Sequence, residues 1–105
     1  MIPGTQFDKE GFLLDLRLWD RDIATQVAQK ENIKLTNEHF VILHLARDFY
    51  QDFDISPEMR PLVKWVKKKL GAEKGNSMYL LTLFPNSPAK LVSKIAGLPK
   101  PLNCI

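Results

Sequence analysis

The chain has 105 residues, of which 45% are hydrophobic and 26% charged, with a formal net charge of +3. This composition predicts one globular domain over residues 1–105 and leaves no room for a second. The single cysteine, Cys104, excludes an internal disulfide, and no apolar run is long enough to cross a membrane. Residues 1–4 lack the features of a secretory signal, so we expect a reducing, cytoplasmic location. The mild positive charge favours an acidic partner or RNA without requiring either.

The N-terminal part of the chain is predicted to form a small β-hairpin followed by a helix. Apolar and polar residues alternate partly over residues 7–19, and residues 8–11 form a turn-prone segment before a second arm at 12–19. From about Asp20 the apolar period becomes helical, and this short helix is expected to end near residues 31–32. Its buried face would comprise Ile23, Val27 and Ala28.

A long helix is predicted over residues 36–53. Thr36 is suited to capping its free amides. The apolar stripe consists of Ile42, Leu45, Ala46, Phe49 and Phe53. His39 and His44 are five residues apart and do not share a helical face, so with one remote cysteine they form no zinc motif.

The next predicted helix covers residues 57–70. Ser56 would cap it, Pro57 would occupy its first position, and Gly71 would end it. Together with the preceding helix it indicates packing similar to a helix-turn-helix, which makes nucleic-acid binding an alternative function. The second helix contains neither Asn nor Gln to read base edges, however, and its basic residues would bind phosphate without specifying a sequence.

Two shorter helices and an arm complete the chain. One helix starts at Asn76 or Ser77 and stops at Pro85, and the other runs from residues 87–88 to Gly97. Beyond it, the prolines at 99 and 101 favour an extended, flexible C-terminal arm over residues 97–105, able to carry Cys104 about 20 to 25 Å at full stretch. The predicted fold class is therefore mainly α with a small N-terminal β-hairpin: a compact helical bundle with a flexible C-terminal arm.

Cys104 is the candidate reactive residue, because a thiol on an exposed arm has little core to join. The terminal carboxylate beside it opposes thiolate formation, and Lys100 favours it weakly. A basic face on the helix at 57–70, formed by Arg60, Lys64 and Lys67, is either an anion-binding surface or an ordinary solvated one.

No other catalytic motif is present in the sequence. None of the four serines lies in a nucleophile elbow, and helix capping is their favoured role. These serines are Ser56, Ser77, Ser87 and Ser93. Gly71 and Gly75 do not belong to a phosphate-binding loop. We therefore expect neither a metal nor a cofactor.

Several strings in the sequence resemble the DsrC/TusE family, and the match covers nearly the whole chain. The tail motif is the most specific, with a penultimate cysteine after a glycine-leucine-proline-lysine-proline run. The matching strings are ARDFY at 46–50, SPEMRPLVK at 56–64, EKGNS at 73–77, LFP at 83–85, PAK at 88–90 and KIAGLPKP at 94–101.

This resemblance implies a sulfur carrier of the sulfurtransferase type, in which Cys104 holds sulfane sulfur as a persulfide. Members of the family that serve dissimilatory sulfur metabolism carry a second arm cysteine, and Ser93 occupies that position here. The single-cysteine branch implies a TusBCD-like sulfur donor and an MnmA-like tRNA thiouridylase as acceptor, for 2-thiouridine formation at the wobble position. A carrier role in another sulfur-oxidation or sulfur-reduction pathway is an alternative.

The cations in the matched segments are candidates for stabilising the thiolate or persulfide and for orienting partners or tRNA. This supporting basic surface comprises Arg60, Lys64, Lys67, Lys90, Lys94 and Lys100.

Overall fold

The computed structural model describes residues 6–102, and within them the fold is built from helices alone. A short 3-10 helix, Leu16–Leu18, precedes five α-helices. These are α1 (Arg21–Lys30), α2 (Asn37–Phe53), α3 (Met59–Leu70), α4 (Ser77–Leu83) and α5 (Pro88–Ile95). The prediction of a compact, mainly helical bundle is confirmed.

The predicted N-terminal β-hairpin is not shown in this part of the chain. A tight turn does form at residues 8–11, closed by a 2.8 Å hydrogen bond from the Asp8 N–H to the Phe12 carbonyl. Only one antiparallel bridge follows it, between Phe7 and Leu13, and no sheet is found among residues 6–102. Asp15 ends the pairing because its carboxylate accepts the Arg17 N–H and caps the 3-10 helix instead.

The N-terminal ends of α1, α2 and α4 are fixed by local side-chain hydrogen bonds. Asp20 accepts the Ile23 N–H at 2.8 Å and caps α1, while Asn76 accepts the Tyr79 N–H at 2.8 Å and caps α4. At the start of α2, Nδ1 of His39 accepts the Thr36 N–H at 3.1 Å. These bonds satisfy amides that the first helical turn leaves without partners.

Helix α3 starts later than predicted. It begins at Met59, with Glu58 at the N-cap, so that Ser56 and Pro57 precede the helix. Ser56 does not cap it, because its hydroxyl donates to the carbonyl of Pro99, 43 residues away. The C-terminal end is as predicted, at Gly71 with φ of 94°.

Helix α5 occupies the centre of the bundle and contacts each of the other four helices. Its buried side chains, including Val92 and Ile95, join those of α2 and α3 in one hydrophobic core. The segment that follows α5 therefore begins in the middle of the molecule. None of the helices in residues 6–102 is long and apolar enough to cross a membrane.

Candidate functional site

The candidate site lies at the C-terminal end of α5, where the chain leaves the bundle towards Cys104. Cys104 itself is outside the residues that the structure describes, as are Asn103 and Ile105. What the structure defines is the base from which they extend. We call residues 95–101, with the side chains that hold them, the arm root.

The arm root begins with a helix stop built around Gly97. Its φ of 74° is left-handed, and its N–H and that of Leu98 donate back to the carbonyls of Lys94 and Ser93. This pattern is the Schellman motif, in which a glycine reverses the chain at no steric cost. Leu98 is 1% exposed and belongs to the core, so the reversed chain packs back onto the bundle.

Trp19 and Arg47 hold the carbonyls that the helix end would leave free. The indole N–H of Trp19 donates to the Ile95 carbonyl at 2.8 Å, and Nη1 of Arg47 donates to the Ala96 carbonyl at 2.8 Å. The two side chains also support each other, since the guanidinium carbon lies 4.5 Å from the centre of the indole ring.

Arg47 links three parts of the fold through its guanidinium. Nη2 donates to the Leu16 carbonyl at 3.0 Å, so the side chain joins the N-terminal segment, α2 and the arm root. Burial lowers the pKa of Arg47 from its usual value. A guanidinium nevertheless keeps its charge in proteins, so both hydrogen bonds are charge-assisted.

Gly97 is in close contact with Trp19. A Cβ at this position would lie 2.6 Å from Cδ1 of the indole, closer than real Cβ contacts allow. Glycine is therefore required at position 97 for two reasons: the positive φ and the close approach of the Trp19 ring.

Further along, two contacts hold the proline-containing part of the arm root. Ser56 donates to the Pro99 carbonyl, and Nζ of Lys100 lies 3.0 Å from Oε1 of Glu10. Pro101 is buried, whereas Leu102 is 86% exposed. The sequence predicted a flexible arm from residue 97 onward, but Gly97, Leu98 and Pro101 are buried, and the carbonyl of the exposed Pro99 is held by Ser56. Leu102 follows the buried Pro101 and is exposed.

The cations predicted to support Cys104 are placed in different surroundings. Arg60, Lys64 and Lys67 are exposed on the outer face of α3, and Lys90 on α5 is partly exposed. Lys94 is committed to structure, since its Nζ lies 2.7 Å from Oε2 of Glu31 and its side chain is 16% exposed.

A cavity of about 250 Å³ adjoins the end of the arm root. Lys100 is the one predicted supporting cation among the residues that line it, and Arg60 and Lys64 are not. The lining residues are Tyr50, Asp54, Ile55, Ser56, Glu58, Pro99, Lys100 and Leu102.

Ser93 is fully buried in α5, and its Oγ has no hydrogen-bond partner among residues 6–102. It is therefore not a helix cap. Ser87 does precede α5, but its side chain makes no capping hydrogen bond.

Sequence reasoning missed Trp19 and Arg47 as holders of the arm root. Arg47 carried a weak signal, because it is a charged residue directly after the buried Ala46 and within one of the matched strings. Trp19 carried none, since its partner carbonyl is 76 residues away.

The fold and the site together define a small helical protein that anchors the base of its C-terminal tail and exposes Leu102, the last residue that the structure describes. The family model for DsrC-like proteins matches residues 3–105, and the chain belongs to this family. It is 51% identical over 98 residues to the sulfurtransferase TusE homolog of Haemophilus influenzae, covering 93% of this chain and 90% of the relative. With the sulfurtransferase TusE of Escherichia coli K12 the identity is 49%, with the same two coverages.

Solved structures from the same family agree with this fold. DsrC of Allochromatium vinosum, solved by NMR, superposes with a TM-score of 0.85 at 46% identity, covering 94% of this chain and 88% of that one. The oxidized γ-subunit of the dissimilatory sulfite reductase (DsrC) of Archaeoglobus fulgidus gives a TM-score of 0.79 at 38% identity, covering 94% and 90%.

Proposed function

We propose that the protein is a sulfur-relay carrier that accepts sulfane sulfur as a persulfide on Cys104 and passes it on for 2-thiouridine formation at the tRNA wobble position. The observation that carries this proposal is the identity of about half of the residues with sulfurtransferases named TusE, over 93% of the chain. The anchored arm root, which is followed by the exposed Leu102 two residues before the cysteine, is consistent with it.

The proposed chemistry needs no redox partner. The Cys104 thiolate attacks the terminal sulfur of a donor persulfide, a new S–S bond forms, and the donor's S–S bond breaks to release the donor as a thiolate. Transfer to the acceptor repeats the step, with an acceptor thiolate attacking the outer sulfur and Cys104 leaving as a thiolate. A reducing, cytoplasmic environment keeps the thiol free for this exchange.

Ser93 favours direct hand-off of the sulfur. Cys104 is the only cysteine in the sequence, and Ser93 stands where family members of the other branch carry their second arm cysteine. An intramolecular disulfide therefore cannot release the cargo from this chain. The sulfur has to leave as a persulfide that another protein attacks.

For partners, we propose a TusBCD-like donor complex and an MnmA-like tRNA thiouridylase. The relatives named sulfurtransferase TusE support a sulfur-relay partner, and the two particular partners are what the family resemblance implies. The dissimilatory sulfite reductase subunits among the structural relatives make a different sulfur pathway the second candidate. The two are distinguished by whether loss of the protein lowers the 2-thiouridine content of tRNA.

Among the candidate supporting cations, we propose that Lys100 has the greatest influence on Cys104, because it is the nearest in sequence and lines the cavity at the end of the arm root. Its pairing with Glu10 reduces its effect on the thiolate. For Arg60 and Lys64, an alkylation rate of Cys104 that is unchanged by Arg60→Ala and Lys64→Ala would exclude a role in stabilising the thiolate.

A reconstituted relay tests the function. Isotopically labelled sulfur on a TusBCD-type donor should appear in tRNA as 2-thiouridine only when the carrier is present with an intact Cys104. Cys104→Ser should abolish incorporation. Nucleic-acid binding as the primary function predicts the opposite, namely salt-sensitive, sequence-selective duplex binding that survives Cys104→Ser.

A further inference from the structure

The anchoring of the arm root limits how far the cargo can travel. Pro101 is buried, and Leu102, which follows it, is exposed. From Leu102 to Cys104 there are two residues, which span at most about 7 Å when extended. If Cys104 carries the sulfur, as proposed above, any protein that exchanges it has to bring its own reacting sulfur close to Leu102. Such a protein must rest on the surface around this residue.

That surface is apolar at its centre. Leu102 lines the cavity of about 250 Å³ together with Ile55, and these side chains are 86% and 51% exposed. Tyr50 and Pro99 add to its walls. The volume is sufficient for one large side chain of a partner, and fully burying such a side chain is worth about 1.5–3 kcal/mol.

The rim of the cavity is acidic, in contrast to the positive charge of the whole chain. Asp54 and Glu58 line it, and within residues 6–102 neither carboxylate makes an ion pair or a side-chain hydrogen bond. Lys100, the cation in the lining, is paired with Glu10. Asp52 is also exposed, at the end of α2. We call the surface formed by Asp54, Ile55, Glu58 and Leu102 the exit face.

We propose that the exit face docks the sulfur-accepting, RNA-thiolating enzyme, which inserts one apolar side chain into the cavity and places Lys or Arg residues against Asp54 and Glu58. An enzyme that holds tRNA beside its reactive cysteine carries cationic surface around that site, since RNA binding depends on neutralising phosphates. The carboxylates of the exit face complement such a surface. They repel RNA itself, so the nucleic acid does not occupy this position.

Charge reversal at the rim tests the proposal against a matched control. Glu58 precedes the first residue of α3, and Glu73 is an exposed residue just beyond its last, so the two are separated by the length of the helix, about 18 Å. Glu58→Lys and Glu73→Lys therefore change the net charge equally at opposite ends of one element. Both variants are loaded with a low-molecular-weight persulfide, which bypasses any donor protein, and the loading is verified by intact mass.

The measurement is single-turnover sulfur transfer to an MnmA-type thiouridylase with tRNA bound. We expect Glu58→Lys to lower the second-order rate constant at least tenfold and to leave the rate at saturating acceptor unchanged, because rim charges act mainly on association. Glu73→Lys should stay within twofold of the wild type. Ile55→Ser should lower the affinity without the same salt dependence, because it removes an apolar contact and leaves both carboxylates in place.

A folding defect is controlled by a second variant. Asp54 has φ of 59°, a conformation that asparagine tolerates nearly as well, so Asp54→Asn removes the charge and keeps the backbone. It should slow transfer in the same direction. Equal transfer rates for Glu58→Lys, Asp54→Asn and Glu73→Lys would overturn the exit face as a docking site. If the rim variants were loaded more slowly by a donor complex but transferred sulfur to the thiouridylase at the wild-type rate, the assignment of the thiouridylase as the docking partner would be overturned. A wild-type protein that gains no sulfur would overturn the proposed function itself.

Discussion

Gly97→Ala should lower the free energy of unfolding for two reasons, the positive φ of Gly97 and its close contact with Trp19. The φ of 74° costs an L-residue about 1–2 kcal/mol. The new Cβ would lie 2.6 Å from Cδ1 of Trp19, and ordinary van der Waals contact begins near 3.4 Å, so the indole has to move. That movement strains its 2.8 Å hydrogen bond to the Ile95 carbonyl, worth about 1 kcal/mol. We expect a total loss of about 2–4 kcal/mol in the free energy of unfolding.

The assay is equilibrium unfolding in urea, supported by thermal unfolding, where the loss corresponds to a fall in Tm of about 10–20 °C. A double-mutant cycle with Trp19→Ala isolates the clash. In that background the indole ring is gone, and the nearest tryptophan-derived atom is Cβ at 3.0 Å, which relieves most of the clash but not all of it. Gly97→Ala should then cost little more than the backbone share of about 1–2 kcal/mol. An equal cost in both backgrounds would refute the close contact of Gly97 with Trp19.

Three further predictions concern the serines, the tail and one tyrosine. Ser56→Ala should lower the free energy of unfolding by about 1 kcal/mol, because it leaves the Pro99 carbonyl without its hydrogen bond. Ser93→Ala should leave the free energy of unfolding unchanged or raise it by up to about 1 kcal/mol, because the Ser93 hydroxyl has no partner among residues 6–102. Urea titrations in which Ser93→Ala is the more destabilising of the two would contradict this. Truncation after Leu102 should abolish sulfur acceptance. It should shift Tm by no more than about 3 °C, because the arm root is retained. A larger shift would show that the last three residues contribute to the stability of the fold. Burial and the hydrogen bond donated to Glu38 raise the pKa of Tyr79 to about 12. The wild type should therefore be more stable than Tyr79→Phe below pH 10, by less than about 1 kcal/mol for this exposed pair, and this difference should disappear as the pH rises from 10 to 12. A stability difference that grows with pH would contradict this.

Local signals in the sequence predicted most of the helical fold. The sequence correctly predicts Thr36 at the start of α2 and the helix ends at Gly71 and Gly97, because helix starts and glycine stops depend on residues within one turn. The predicted hairpin is not shown beyond one bridge, because the carboxylate of Asp15 offers the backbone a competing hydrogen bond. Partial alternation of apolar residues cannot reveal that competition.

The arm root could not be predicted from local pattern. Ser56 carries the signature of a helix cap, and only its position in the folded chain shows that its hydroxyl donates to the Pro99 carbonyl. Prolines at 99 and 101 indicate an extended backbone, but extension does not distinguish a free segment from one packed on the bundle. Long-range contacts decided the difference, through Trp19 and Arg47.

Intact mass spectrometry can show whether Cys104 carries transferable sulfur. After incubation with a persulfidated TusBCD-type donor, the wild-type protein should gain one sulfur atom, about 32 Da, and lose it on addition of an MnmA-type thiouridylase with tRNA. Peptide mapping should place the gain on Cys104, and Cys104→Ser should show none. A wild-type mass that does not change, or a gain that persists in Cys104→Ser, would contradict the account.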